Sequence, residues 1–243
     1  MKVSTEKIIL SCEHGGNKVP KQFLGLFTGN RAVLNTHRAW DRGALVLAKA
    51  MSSSLSAPLV YSEITRLLVD LNRSLHNRHL FSEYIHRCDK QIINKLLDEI
   101  YFPYRQRIKS EIRNALKKNN SVIHFSIHSF TPELNGQTRN ADIGLLYDPA
   151  RTNERVLCKK LRLRLNSLAP YLKIRRNYPY RGNTDGLTTH LRQLFDTEKY
   201  SGIEIEINQK HVKSNNKSWL WLQRLLIDAI YTVLEDEYRS VGQ

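Results

Sequence analysis

The chain has 243 residues, 41% hydrophobic and 25% charged, which supplies apolar material for a sizeable core and excludes a disordered or fibrous chain. Lys and Arg number 38 against 23 Asp and Glu, a formal charge of +15 that directs attention to an anionic partner or substrate. Cys12, Cys88 and Cys158 are too few and too scattered for a disulfide framework or a thiolate metal site, and the apolar run Ile8 to Leu10 is far shorter than a signal segment or a membrane span; a cytoplasmic protein that does not enter a membrane is expected.

In chain order, Lys7 to Cys12 predicts a strand leading into a glycine turn. Asp41 to Leu55 has helical periodicity with an acidic first residue, and Pro58 to Glu63 is a second extended run. From Asp89 to Lys118 apolar residues recur at mostly helical spacing, with Pro103 placed to kink or split the element. The strand at 121 to 128 alternates: Ile123, Phe125 and Ile127 take one side, and Val122, His124, Ser126 and His128 the other. Then follow an extended stretch Ile143 to Tyr147, a basic helix from about Asn153 to Leu168, a short strand near Leu172 to Arg175, a helix after Asp185, a strand at Ile203 to Asn208 and a last amphipathic helix from about Ser218 to Glu237. Strands alternating with helices, without repeats or a long linker, predict one α/β domain over residues 1–243 with a mixed, mostly parallel sheet. The basic runs, such as Arg105 to Lys118 and Lys159 to Arg164, carry no zinc-finger spacing, RNA-binding aromatic motif or basic-zipper heptad, so they read as solvated helix faces and not as a nucleic-acid footprint.

In such sheets the reactive groups gather beyond strand ends. His14 follows the first strand and His128 ends the central one, a pair that fits a catalytic zinc or another divalent metal held by two imidazoles and an oxygen ligand. Glu13, Asn17 and Asp41 can supply the third; carboxylates bind zinc better than a carboxamide, and Asp41 is preferred. His124, mid-strand, reads as a structural neighbour. Glu206 lies on a strand otherwise made of isoleucines and shares one face with Glu204 and Asn208, so one of the two glutamates can act as general base. Arg66, Asn72, Arg73 and Arg139 lie where strands turn or end and can hold a substrate carboxylate, and the turn-rich loop containing Asn177 and Tyr180 suits closure over a small ligand.

The segments SCEHGGNKVP (11–20), WDRGA (40–44), TRLLVDLNRS (65–74), IHSFTPELNGQTRNADIGLLYD (127–148), RNYPYRGNTDG (176–186) and GIEIEINQ (202–209) resemble, in order, those of the N-formylglutamate amidohydrolase family. That family looks like a branch of the zinc carboxypeptidase-like hydrolases, which implies a three-layer α/β sandwich of the phosphorylase/hydrolase-like kind. The resemblance implies metal-ligand roles for His14 and His128, a carboxylate clamp at Asn72-Arg73 and the base role for Glu206 rather than Glu204. This sequence departs from the related His-x-x-Glu ligand pair at Asn17, which keeps Asp41 in play as third ligand. The implied reaction is hydrolysis of a small anionic N-acyl amino acid, first N-formyl-L-glutamate to formate and L-glutamate at the end of histidine degradation. Its competitors are a peptidase or cell-wall amidase with a larger substrate, and a non-catalytic polyanion binder with a degraded metal site.

Overall fold

The structure, a computed structural model, describes residues 8–212 and 217–241; the first seven residues, on which part of the N-terminal reading falls, lie outside it. The strands are β1 (Ile8–Cys12), β2 (Leu59–Tyr61), β3 (Val122–Phe130), the hairpin β4 (Glu133–Leu134) and β5 (Gln137–Thr138), β6 (Ile143–Leu146), β7 (Ile174–Arg176) and β8 (Tyr200–Asn208). The main sheet has six strands in the order β2-β1-β3-β8-β6-β7. Neighbours are parallel except β6 against β8, which gives the mixed, mostly parallel sheet that the sequence predicts.

Six helices, α1 (Ala44–Leu55), α2 (Lys90–Leu96), α3 (Phe102–Lys118), α4 (Thr152–Leu168), α5 (Leu187–Leu194) and α6 (Lys217–Val241), are divided between the two faces. Phe125, Ile127, Ile203, Ile205 and Ile207 pack with Leu47, Met51, Leu161, Leu165, Leu226 and Ile230 of α1, α4 and α6. Ile9, Val122 and Tyr200, of the opposite parity, pack with Leu96, Ile108, Ile112, Leu187 and Leu191 of α2, α3 and α5. Among the described residues no helix is long and apolar enough to cross a membrane.

The central strands β3 and β8 are buried along almost their whole length. Their apolar side chains therefore meet one helical layer, while the alternating polar set, His124, Ser126 and His128 on β3 and Glu204 and Glu206 on β8, is taken out of water on the other. Burying such groups is costly unless each finds a partner or a ligand. The sheet thus creates a polar wall that has to be satisfied from within.

Three local details position that wall. Pro103 lies at the start of α3, directly after a π-helical turn at Leu97–Tyr101, and the predicted long helix is divided into α2, that turn and α3. Gly43 has φ 82°, a left-handed conformation that favours glycine, so α1 starts at Ala44 and leaves Asp41 in a turn outside the helix. The Asp41 N–H then donates to His14 O at 2.9 Å, which ties this turn to the end of β1. The hairpin, absent from the periodicity reading, turns at Asn135 and Gly136 with φ 52° and 74°, the pair of left-handed positions for which Asn-Gly is suited.

The loop 177–186 is seated directly on the sheet. A Cβ on Gly144 would stand 2.1 Å from Tyr178 O and 3.2 Å from Glu206 Cβ, and one on Gly182 would stand 2.1 Å from the Tyr147 nitrogen. Arg192 of α5 locks the loop by donating to Gly182 O at 2.6 Å, while its Nε donates to the fully buried Glu154 at 2.9 Å.

Candidate active site

His14 is delivered by the turn after β1, where space is short: a Cβ on Gly15 would lie 2.8 Å from Ser62 O and one on Gly16 2.5 Å from Glu63 O. His128 is delivered by β3 and Asp41 by the turn before α1. The three offer ligand atoms that all lie within 4.8 Å of one another, and they are 2%, 3% and 5% exposed, so they could hold a metal ion in a buried setting.

Each imidazole is backed by a carboxylate. His14 Nε2 lies 2.7 Å from Asp70 Oδ1, and Asp70 is gripped in turn by Arg66, whose Nε and Nη2 donate to Oδ2 at 3.1 and 2.6 Å. His128 Nε2 lies 3.0 Å from Glu13 Oε2, and Glu13 also accepts from the hydroxyls of Ser126 (2.5 Å) and Tyr104 (2.8 Å). An ionised carboxylate only accepts, so Nε2 donates in both rings, and the Nδ1 of each is turned to Asp41 at the centre of the site, where a metal would take the place of a proton. There His14 Nδ1 stands 3.4 Å and His128 Nδ1 2.9 Å from Asp41 Oδ2.

Burial by itself disfavours every charge here, yet the mutual pairing outweighs it. Despite their burial, Glu13 and Asp41 are held below the usual carboxylate range by the imidazoles, and Asp70 by Arg66 and His14. Burial and Arg66 pull the His14 pKa down, but Asp70 and Asp41 raise it more, and His128 is raised well above its ordinary value by hydrogen bonds to Asp41 and Glu13. His14 Nδ1 nevertheless makes no hydrogen bond. A buried nitrogen with no hydrogen-bond partner, beside a second imidazole and a carboxylate, is a donor set that suits a divalent metal.

Glu206 pairs in register with His128 across β3 and β8. Its Oε2 is buried without a partner. Burial pushes its pKa up more than His128 pulls it down, and Asp41 and Glu204 push it further. Glu204, by contrast, accepts the Thr188 hydroxyl at 2.6 Å.

These groups floor a cleft of about 490 Å³, whose walls include five of the remaining predicted residues, Arg66, Asn72, Arg73, Arg139 and Tyr180. Arg66 is committed to Asp70 and, at 3.4 Å, to Asp41, so it builds the site from its side. Asn72 Oδ1 accepts from Leu187 N at 2.6 Å and Arg73 Nη1 donates to Asp185 O at 3.0 Å, which fastens this wall to the loop before α5. Arg139 Nη1 donates to the Tyr180 hydroxyl at 3.0 Å and lies over its ring, and among the described residues it meets no carboxylate.

Asn177 departs from the expectation. With φ 51° it turns its Oδ1 to the N–H groups of Tyr147 and Gly182, so it shapes the loop from behind and does not line the cleft. Of the three candidate oxygen ligands, Asp41 faces the imidazoles, Glu13 stands behind His128, and Asn17 turns away to donate to Leu34 O at 2.8 Å. The departure at Asn17 therefore leaves intact the His14, Asp41 and His128 group that could hold a metal. His124 bridges the Tyr200 hydroxyl and Ser11 Oγ, and burial lowers its pKa to about 4, which keeps it neutral.

Asp70 and Ser126 were not singled out from the sequence. The one available signal for Asp70 was its place at the end of the apolar run Leu67-Leu68-Val69, four residues after an arginine. Asp70→Asn keeps the shape but removes the charge that orients His14, and the affinity for Zn²⁺ should fall about 10- to 100-fold, measured by calorimetric titration of metal-free protein. Unchanged affinity would show that Asp70 does not orient the ligand.

The profile of the family described as N-formylglutamate amidohydrolase matches residues 6–212. Among solved structures, a gene product from Agrobacterium tumefaciens is 26% identical with a TM-score of 0.81, covering 96% of this chain and 92% of its own. An N-formylglutamate amidohydrolase from Ralstonia eutropha JMP134 shares the fold with a TM-score of 0.71 at 17% identity, covering 96% and 94% of the two chains. Comparison with curated proteins finds no match. The profile runs from β1 to the end of β8 and takes in His14, Asp41, His128 and Glu206, and on that match the chain belongs to the N-formylglutamate amidohydrolase family.

Proposed function

We propose that the protein is a metal-dependent amidohydrolase that cleaves the amide of a small anionic N-acyl amino acid, with N-formyl-L-glutamate as the first candidate substrate. The observation that carries this reading is the group of His14, Asp41 and His128, with an unpartnered His14 Nδ1 and the unpartnered Glu206 carboxyl in the same buried floor. A divalent cation such as Zn²⁺ bound by those three residues would polarise the acyl carbonyl and acidify a water molecule.

Glu206 takes a proton from the attacking water and returns it to the departing nitrogen. A C–O bond forms, the C–N bond breaks, and the products are a carboxylate and a free amine; with N-formylglutamate these are formate and glutamate, as in the last step of histidine degradation. A carboxyl whose pKa is raised by burial suits a group that must both accept and release that proton. Arg139 and Arg73 stand in the wall to receive the substrate carboxylate. Behind the imidazoles the sheet face is filled, with Ser11, His124 and Ser126 fully buried, so the acyl group at the floor has to be small.

Release of the free amine, together with formate or acetate, should be measured over a panel of N-formyl and N-acetyl amino acids. N-formylglutamate should be turned over, chelation with EDTA should abolish the activity, and one equivalent of Zn²⁺ should restore it. A metal-loaded protein that cleaves no member of the panel would overturn the reading.

A further inference from the structure

Building on the amidohydrolase reading above, we infer that the cleft takes an N-formylated acidic peptide, entered formyl end first, in preference to a single N-formyl amino acid. Cationic groups occur at two depths. Arg73 and Arg139 are half-buried in the wall, while Arg38 and Arg181 are exposed at the mouth and line the same cleft. A single formyl amino acid is accommodated by the floor and the first level, leaving the second level with nothing to bind.

The size of the cleft points the same way. About 490 Å³ lies within the range of sites for drug-sized ligands, roughly 300–1,000 Å³, and such ligands are much larger than a formylated amino acid. Because the sheet is packed solid behind His128, the extra length can run only from the amine side of the scissile amide towards the mouth.

The mouth selects charge as well as length. Glu83 pairs with Arg38, and Asp185 is held by Ser74 N and Asn77 Nδ2, but Arg181 meets no carboxylate among the described residues. Besides burial, the field of Arg38, Arg139, Arg66 and Arg42 disfavours a proton on His37, which marks this end of the cleft as electropositive. An anionic residue after the formylated one would be drawn there, and a cationic one repelled.

The test compares formate release by the zinc-loaded protein from N-formyl-Glu, N-formyl-Glu-Glu and N-formyl-Glu-Lys. The inference expects kcat/KM for N-formyl-Glu-Glu to exceed each of the other two by about tenfold, the scale of one charge-assisted hydrogen bond. In the Arg38→Ala, Arg181→Ala double variant the advantage over N-formyl-Glu should shrink towards one. Equal or better turnover of N-formyl-Glu, equal rates for the Glu and Lys peptides, or a double variant that keeps the full preference would overturn the inference and leave the amidohydrolase reading standing. Release of formate from none of the three would overturn the inference and remove N-formyl-Glu as the first candidate substrate, while cleavage elsewhere in the wider panel would keep the amidohydrolase reading.

Discussion

His128→Ala should abolish stoichiometric metal binding and lower kcat/KM for formate release by at least about 10³-fold, which corresponds to about 4 kcal/mol of transition-state stabilisation. His128 does more than offer Nδ1 to the group that could hold a metal. It is also the shared partner of Asp41 and Glu13, two carboxylates that are almost fully buried. Removing it leaves them facing each other across a cavity, and breaking a buried pair in this way costs about 3–5 kcal/mol. The alanine protein should therefore also be less stable. His128→Gln fills much of the space and can still donate a hydrogen bond to Glu13, so it should keep the fold while losing metal affinity. Metal content by mass spectrometry, with circular dichroism as the fold control, decides the matter. Stoichiometric metal and intact hydrolysis in the glutamine variant would remove His128 from the site.

Glu206→Gln should reduce turnover by about 10²- to 10⁴-fold, the range that a positioned general base supplies, with metal content unchanged. A buried, unpartnered carboxyl is replaced by a neutral group of nearly the same shape, so no gap opens in the floor. Glu204→Gln is the matched control. That side chain is on the same strand face but already holds the Thr188 hydroxyl, and its loss should cost much less than that of Glu206. If Glu204→Gln proved the more damaging change, the base role would pass to Glu204.

What local pattern encodes was legible in the sequence. Period-two alternation located β3 and β8, 3.6-residue periodicity located the larger helices, and the strand ends pointed to His14, His128 and Glu206. The supporting carboxylates were not legible as such, because they meet their imidazoles across distances in the chain that no periodicity spans: Asp70 is 56 residues from His14, and Glu13 follows β1 while its partner His128 lies on β3. Asp41 reads as the first residue of a helix, and the left-handed Gly43 is what places it in a turn against His14 instead. Asn177 shows the opposite failure. Its setting among turn residues and aromatics suggested a ligand contact, but a left-handed asparagine has a competing use, satisfying the N–H groups of the loop that it shapes.

The seat of the 177–186 loop constrains how this protein could acquire a new substrate. Tyr180 and Arg181 reach the cleft from a backbone that touches the sheet at Gly144 and Gly182, with no room for even a methyl group at either point. Moving the loop inwards would drive Tyr178 O against Gly144 of β6, the residue paired with Glu206 across the sheet. Glu206 and the rim of the cleft are in this sense mechanically linked. Selectivity can drift through the tips at 180 and 181, whereas repositioning the loop as a body would disturb the strand pair that holds Glu206, so an engineered library aimed at new substrates should vary the tips and keep both glycines fixed.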